Sequence, residues 1–287
     1  MNKTNIHDKV IVYSPESGIR KPGFLLREMF QDWKGSFELG WRLFLRDKKA
    51  MYRQSMLGIL WAFIPPIMTT LVWVFLNGQK IINIDDPGVP YPAFVLTSTL
   101  LWSVFAQSIG LPNGAISSGK AIMIKINFNK ESLLISGFLR IGFDFLVKLV
   151  LIIAVFIVFK VSPSVTIFLA PIGVGMLALL GVSIGLILLP VSLMFTDVSR
   201  LLGAILPFWM LLTPVIYPTP REGIGQLLNQ FNPVAPILTT TRDWMFTGHA
   251  EFLMPFLIVS AGAIILAFIG VVLFRLAIPF IIERSGG

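Results

Sequence analysis

The residues that come nearest to a catalytic or binding motif form a glycine- and lysine-containing segment at positions 114–121. It reads Gly-Ala-Ile-Ser-Ser-Gly-Lys-Ala, which fits the GxxxxGK pattern of a phosphate-binding loop. Such a loop also needs Ser or Thr after the lysine to hold magnesium, and it connects a buried strand to a helix. Here position 121 is Ala, and a long apolar segment precedes the motif. We therefore predict that the chain has no nucleotide site of its own.

Acidic residues and histidines are too dispersed to form a catalytic or metal centre. Asp85 and Asp86 are the only adjacent acidic pair, and they lie in a turn rich in Pro and Gly. His7 and His249 are far apart in the sequence, and neither belongs to a helical pair of zinc ligands. The chain has no cysteine, which excludes thiolate metal sites. The sequence predicts no metal site and no catalysis by this chain alone.

Asp144 and Lys148 place opposite charges within one long apolar segment. Residues four apart lie on the same face of a helix and can form an ion pair. A charge within a membrane is costly, and pairing reduces that cost. We therefore predict a mutual, inward-facing ion pair. The alternative is that one of the two contacts a substrate or marks a gate.

The composition is that of a membrane protein. Hydrophobic residues make up 55% of the 287 residues and charged residues only 13%, whereas soluble domains carry about 25% charged residues. The net charge of +8 comes from cations that flank apolar segments, where they favour membrane lipids and a cytoplasmic location over nucleic acid. Residues 1–20 lack the apolar core of a signal peptide.

The hydrophobic pattern predicts an all-α membrane protein with six transmembrane helices. We expect a flexible cytoplasmic tail at 1–23, an amphipathic interface helix at 24–53, a membrane domain at 54–275 and a cytoplasmic tail at 276–287. The interface helix has an alternative interpretation as an ordinary amphipathic helix packed on another domain. Because about 20 helical residues cross a bilayer, the spans are placed near 56–77, 92–112, 137–159, 165–190, 202–218 and 252–274.

The distribution of lysine and arginine orients these spans. With both termini cytoplasmic, eighteen of the 23 basic residues lie inside, four lie outside, and Lys148 lies within a span. This asymmetry satisfies the positive-inside rule. Before the last span, a mildly apolar piece at 225–241 is interrupted by Pro233 and Pro236. It is too short to cross, so we predict a re-entrant or interfacial hairpin there.

Residues 46–65 carry the motif Arg-Asp-x4-Tyr-Arg-Gln-Ser-x-Leu-Gly-x2-Trp-x3-Pro. It strongly resembles the N-terminal signature of permease subunits of polysaccharide ABC exporters, the O-antigen, capsule and teichoic-acid group of type-2 ABC membrane domains. The resemblance covers roughly residues 40–275 and departs from the family at Asn129, usually Pro, and at Thr213, usually Ser. Its further motifs are KINFNKE at 125–131, FTDV at 195–198, TPVIYP at 213–218, Asn-Pro at 232–233 and Thr-Arg at 241–242.

The resemblance implies a function in export of a lipid-linked polysaccharide across the bacterial cytoplasmic (inner) membrane. It implies a homodimer that works with two copies of a separate ABC nucleotide-binding subunit. That partner would bind ATP and Mg²⁺, so this chain would bind no cofactor and would be a transporter subunit rather than an enzyme. The interface helix and the first cytoplasmic loop would dock the partner, through Arg42, Arg46, Asp47, Lys125, Asn127, Phe128, Lys130 and Glu131.

A channel for such a polymer calls for aromatic side chains, whose flat apolar faces stack on sugars at low entropic cost. The alternative is that these residues belong to the interfacial belt or face lipid, and we expect fewer than half of them to line the channel. The candidates nearest the ends of the predicted spans are Trp61, Trp73, Trp102, Phe105, Phe208, Trp209 and Tyr217.

Three other functions compete with polysaccharide export. The first is a type-2 ABC permease for a drug or a lipid. The second is a membrane enzyme of glycan assembly, such as a glycosyltransferase, and the third is a scaffold subunit.

Overall fold

The computed structural model describes residues 33–53, 56–125, 128, 130–195 and 197–286, with the backbone alone at 33–34, 52, 120–125 and 277–286. The predicted tail at 1–23 and the first part of the predicted interface helix, 24–32, lie outside these residues. The described chain is α-helical and has no strand, as predicted. Short 3-10 segments, Gly58–Ala62 and Val165–Leu169, precede two of the helices.

Nine helices follow one another in the described chain. They are α1 (Trp33–Arg53), α2 (Ile64–Gly78), α3 (Tyr91–Lys125), α4 (Glu131–Val158), α5 (Ala170–Met194), α6 (Asp197–Leu212), α7 (Gly223–Phe231), α8 (Val234–Phe246) and α9 (Leu253–Gly286). The last helix includes residues 276–286, most of the predicted C-terminal tail.

Within the described residues, five helical segments are long and apolar enough to cross a membrane. They are Gly58–Gly78, Tyr91–Gly119, Glu131–Val158, Val165–Met194 and Leu253–Leu276. Each corresponds to one of the predicted spans.

The predicted span at 202–218 corresponds to α6, which has only 16 residues. A helix of that length is about 24 Å long, less than the roughly 30 Å of a hydrocarbon core. The helix ends at Leu212 because Pro214 disfavours helical geometry at the preceding residue. The chain then turns through residues 213–217.

Helix α3 is longer than the predicted second span. It runs for 35 residues, through Pro112 and into the segment that was predicted to form a cytoplasmic connection. The glycine–lysine segment at 114–121 is therefore part of a continuous helix. Its backbone N–H groups are directed along that helix, so the segment does not form the anion-binding loop that the GxxxxGK pattern is typical of.

Helix α5 lies at the centre of the bundle, packed against α3, α8 and α9. Close approach to α3 depends on Gly181 and Gly185. A Cβ atom on Gly181 would lie 2.6 Å from the Phe105 carbonyl oxygen, and one on Gly185 would overlap the Ile109 carbonyl. Small residues at this spacing allow helices to approach closely. Ser183, between these two glycines, is fully buried. Its Oγ lies 2.6 Å from the Leu179 carbonyl oxygen and 3.0 Å from that of Ala263.

Helix α2 lies at the edge of the helical bundle. Only 11% of its apolar stretch is buried inside the protein, whereas 78% of the stretch in α3 is buried. Its long apolar side chains, among them Met68, Leu71 and Phe75, are exposed. This face of α2 is therefore available to lipid or to another subunit.

Two short helices, α7 and α8, precede the last long helix, where a hairpin was predicted. They meet at Asn232 and Pro233. Nearly every side chain of α8 is buried, which is the condition under which short, interrupted helices are tolerated at membrane depth. The placement of this hairpin relative to the bilayer stays a prediction.

Candidate functional site

Helix α1 is fixed along α4 by a polar and aromatic contact. Lys48 Nζ lies 2.5 Å from Asp144 Oδ1 and 4.2 Å from the centroid of the Phe143 ring. Phe44 is buried one turn before Lys48, with its ring centroid 6.0 Å from that of Phe143. The lysine is largely buried. Its ammonium group contacts both a carboxylate and the face of an aromatic ring.

The same face of α1 approaches the start of α4 through a glycine. A Cβ atom on Gly40 would lie 2.9 Å from the carbonyl oxygen of Ser132 and 2.8 Å from the Ile135 side chain. The packed face of α1 thus contains Ser36, Gly40, Leu43, Phe44 and Lys48. Phe37 and Trp41, two aromatic residues of the predicted amphipathic helix, are 49% and 45% exposed instead. An exposed aromatic face is compatible with an interface helix, and that role stays a prediction.

In the structure, Asp144 and Lys148, which were predicted to pair with each other, have different nearest partners. Asp144 pairs with Lys48, while Lys148 Nζ donates a hydrogen bond of 3.0 Å to Ser103 Oγ on α3. Lys148 is buried, and Asp144 remains close enough for a Coulombic interaction with it. The reason for the difference is that α1 supplies a competing cation 96 residues away in sequence, which periodicity within α4 does not reveal.

Some of the proposed coupling residues lie on α1 and others at the adjoining start of α4. On α1, Arg42 pairs with Glu38 and Arg46 with Asp47, each at 2.7 Å and each exposed. At the start of α4, Glu131 pairs at 2.5 Å with Arg275 of α9. Burial lowers the pKa of Lys130, and the neighbouring Glu131 opposes that change.

Three further coupling residues lie at the end of α3 and in the segment that follows it. Phe128 is half-buried and packs against the core. Asn127 and the side chain of Lys125 lie outside the described part of the chain. No contact in the structure tests the coupling role of any of these residues.

A buried arginine holds together the end of the bundle that is predicted to face outward. Arg242 of α8 donates to the carbonyl oxygen of Pro214 at 2.8 Å and to Ser98 Oγ at 3.2 Å. Its guanidinium carbon lies 4.1 Å from the centroid of the Phe94 ring. Burial lowers the pKa of Arg242 to about 10, and Asp243 opposes that shift.

Asn232 makes a second set of hydrogen bonds at the same end of the bundle. Its amide donates to Thr213 Oγ1 at 2.8 Å, and its carbonyl oxygen accepts from Trp209 Nε1 at 3.2 Å and from the Val234 N–H at 3.1 Å. The motifs at 213–218, 232–233 and 241–242 thus meet in one cluster. Hydrophobic periodicity does not predict this cluster. The only signal in the sequence is that Pro-containing motifs recur within one region that is predicted to lie outside the membrane.

The seven candidate channel aromatics occupy different environments. Trp102 and Phe105 are buried and pack against Trp209, with ring centroids 6.3 and 5.2 Å away. In this conformation the faces of Trp102 and Phe105 are covered by protein. Trp61 and Phe208 are exposed, by 57% and 69%. Which of these residues contacts a substrate stays a prediction.

The two remaining candidates line one cavity. Trp73 of α2 and Tyr217, in the turn after α6, meet at a cavity of about 300 Å³ beneath the α2–α3 loop. That loop contributes Asn83 and Asp85, and Ile216 and Pro218 complete the opposite wall. No group of His, Cys, Asp or Glu residues suited to a metal ion occurs within the described residues.

Comparison with known proteins places these features in a family. The chain is 26% identical over 245 residues to the O-antigen export system permease protein RfbA of Myxococcus xanthus, covering 84% of this chain and 92% of the relative. It is 26% identical over 238 residues to RfbA of Klebsiella pneumoniae, covering 80% and 88%. It is 21% identical over 240 residues to the polysialic acid transport protein KpsM of Escherichia coli, covering 81% and 91%. Residues 38–246 match the family described as ABC-2 type transporter, and the chain belongs to that family.

Proposed function

We propose that this chain is the membrane permease of an ATP-driven exporter that moves a lipid-linked polysaccharide outward across the bacterial cytoplasmic membrane. The observation that carries the proposal is similarity over four fifths of the chain to permeases named for O-antigen export. The reported relative named for polysialic acid transport also has a polysaccharide cargo. A drug or a membrane lipid as cargo is therefore the weaker alternative.

A separate ABC ATPase supplies the energy in this proposal. Two copies of it dock on α1 and on the adjoining start of α4, with Arg42, Arg46 and Lys130 among the contacts. The fixed contact between Lys48 and Asp144 supports this arrangement, because a displacement of α1 is passed directly to α4. Closure of the ATPase on ATP changes the contacts at this surface and shifts the balance between permease conformations.

Two permease copies form the transport unit in this proposal, with six crossings each. The turn at residues 213–217 extends α6 toward the outer surface, so that α6 completes the sixth crossing and both termini lie in the cytoplasm. The exposed apolar faces of α2 and α6 support a partner copy. Exposed and cavity-lining aromatics, including Trp61, Trp73 and Phe208, provide the sliding surface for the polymer.

Stimulation of ATP hydrolysis tests the proposed cargo. The permease and its ATPase are purified together in lipid nanodiscs, and ATP hydrolysis is measured with lipid-linked glycan, with the same lipid lacking sugar, and with hydrophobic drugs. We expect stimulation by the glycan alone. Equal stimulation by the sugar-free lipid or by the drugs would contradict a polysaccharide cargo.

A further inference from the structure

The cavity between Trp73 and Tyr217 combines two aromatic side chains with two polar ones. Among the described residues that line it, Asn83 and Asp85 provide an amide and a carboxylate, and Asp85 is the only charged residue. Both polar side chains belong to exposed residues on the α2–α3 loop. Its volume of about 300 Å³ is at the small end of ligand pockets. Such a space suits one unit of a polymer rather than a long segment.

One wall of the cavity is held in place before any ligand arrives. The Tyr217 hydroxyl donates to the Leu211 carbonyl at 2.9 Å, and the Tyr91 hydroxyl donates to the Ile216 carbonyl at 3.0 Å. Arg242 fixes the Pro214 carbonyl of the same turn. A binding wall that is already ordered loses less entropy when a ligand binds.

The lining matches the chemistry of a sugar ring. One face of a pyranose carries C–H groups that pack on aromatic rings, whereas its hydroxyl groups are donors for a carboxylate or an amide oxygen. Hydrogen bonds to an ionised acceptor are about twice as strong as those between neutral groups. Trp73 and Tyr217 can supply the apolar contact, and Asp85 and Asn83 can supply the acceptors.

The charge of the cavity discriminates between classes of glycan. A carboxylate without a cation beside it in the lining repels a ligand carboxylate or phosphate. Like charges brought together at a binding site disfavour the wrong partner. A positively charged amino sugar or a neutral sugar meets no such repulsion.

We propose that this cavity is a sugar-binding site at the outer end of the permease, selective for neutral or amino sugars over anionic ones. It receives one sugar unit of the chain as the chain leaves the membrane. The inference rests on the proposed export function and deepens it by naming the class of sugar.

Binding measurements on the full-length protein in nanodiscs test the site. The probes are maltohexaose, chitosan hexamer and a hexamer of sialic acid, and ligand contacts are read by saturation-transfer NMR. We expect saturable signals from the first two probes and at least a tenfold weaker signal from the sialic acid hexamer. Trp73→Leu should reduce binding of both favoured probes at least fivefold, and Asp85→Asn should allow the sialic acid hexamer to bind. Glu222→Gln serves as the charge-matched control, since Glu222 is exposed and does not line the cavity, and it should change neither result.

Four outcomes would overturn the proposal. They are absence of saturable binding by both favoured probes, unchanged binding in Trp73→Leu, equal effects of Asp85→Asn and Glu222→Gln, and displacement of the probes by free lipid or detergent, which would identify an apolar occupant. Surface polymer is measured in parallel in cells that carry each variant. If the unaltered permease exports polymer while the binding results fail, the site alone is refuted. If no polymer is exported by the unaltered permease, the proposed function fails.

Discussion

Lys48 and Asp144 form the contact that fastens α1 to α4. Both side chains are mostly buried, at 10% and 23% exposure, so loss of either leaves an uncompensated charge near the apolar bundle. Lys148 remains near Asp144, but its ammonium group donates its hydrogen bond to Ser103.

Replacing Lys48 with Met should destabilise the protein. Hydrogen bonds to charged groups are worth about 1.5–3 kcal/mol, and we expect a loss of that size in the free energy of unfolding, measured by circular dichroism in mixed micelles. Lys49→Met is the matched control, because Lys49 is exposed. The exchanged pair Lys48→Asp with Asp144→Lys should recover part of the loss. Equal effects of the two single lysine variants would refute the role of the ion pair.

Arg242 holds the turn at 213–218 against α8 and α3. Arg242→Met leaves the buried Pro214 carbonyl without its donor, which costs about 1–3 kcal/mol. Thermal unfolding should therefore begin at a lower temperature. Arg221→Met is the control, since its ion pair with Glu251 is exposed and long, at 3.5 Å. A surface change of this kind should alter stability by less than about 0.5 kcal/mol, and a larger effect at Arg221 than at Arg242 would contradict this assignment.

Asp243 gives the stability of this region a pH dependence. Burial raises its pKa from 3.8 to about 6, and the charge of Glu251 adds to the shift, while Arg242, a backbone hydrogen bond from Glu251 and His249 oppose it. Between these two values the folded protein binds more protons than the unfolded chain. The stabilising contribution of the protonated Asp243 carboxyl is therefore full below about pH 4 and is lost as the pH rises through about 6.

Comparison with Asp243→Asn isolates this effect. The variant lacks the titrating group, so we expect it to be more stable than the unaltered protein at pH 7. That advantage should shrink as the pH falls below about 6. Unfolding at a series of pH values between 4 and 8 provides the test. A stability difference between the two proteins that does not vary with pH would show that Asp243 titrates normally.

The helices illustrate what periodicity can and cannot predict. Long apolar stretches define α2, α3, α4, α5 and α9, because burial in hydrocarbon requires an uninterrupted run of apolar side chains. The end of α6 depends on one proline within a stretch that is apolar on both sides. The extended part of α3 contacts α4, where Gly119 lies against Leu133. The packed face of α1 uses Gly40, Phe44 and Lys48, whereas Phe37 and Trp41 stay exposed. Such choices depend on a partner distant in sequence, which a local pattern cannot identify.

The approach of α5 to α3 can be tested at Gly181. A methyl group there meets the Phe105 carbonyl and the Ser108 side chain, and overpacking of this kind costs about 1–3 kcal/mol. Gly181→Ala should therefore lower the free energy of unfolding by that amount. Gly175→Ala lies on the same helix with no atom within 4 Å of the added carbon, and it should be neutral or slightly stabilising because Ala favours helix. Equal destabilisation by the two changes would contradict the close approach.

The contacts described above connect the two ends of the protein. Near the predicted cytoplasmic surface, the ion pair between Glu131 and Arg275 joins α4 to α9, and Lys48 joins α1 to α4. At the opposite end, Arg242 and Asn232 join α8 to the turn beside the Trp73 cavity. Between them, α3 packs on both α4 and α5. This continuous packing provides a physical route from the proposed ATPase surface to the predicted outer end.

We propose that this chain moves a lipid-linked polysaccharide only when a partner ATPase hydrolyses ATP. The direct test uses liposomes containing the permease, the ATPase and lipid-linked glycan on one leaflet, with appearance of the glycan on the other leaflet measured by lectin binding. We predict transfer that requires ATP and both proteins, and that stops when the ATPase lacks its catalytic base. Transfer without ATP or without the ATPase, or transfer of the sugar-free lipid at the same rate, would show that the chain is not an ATP-driven polysaccharide exporter.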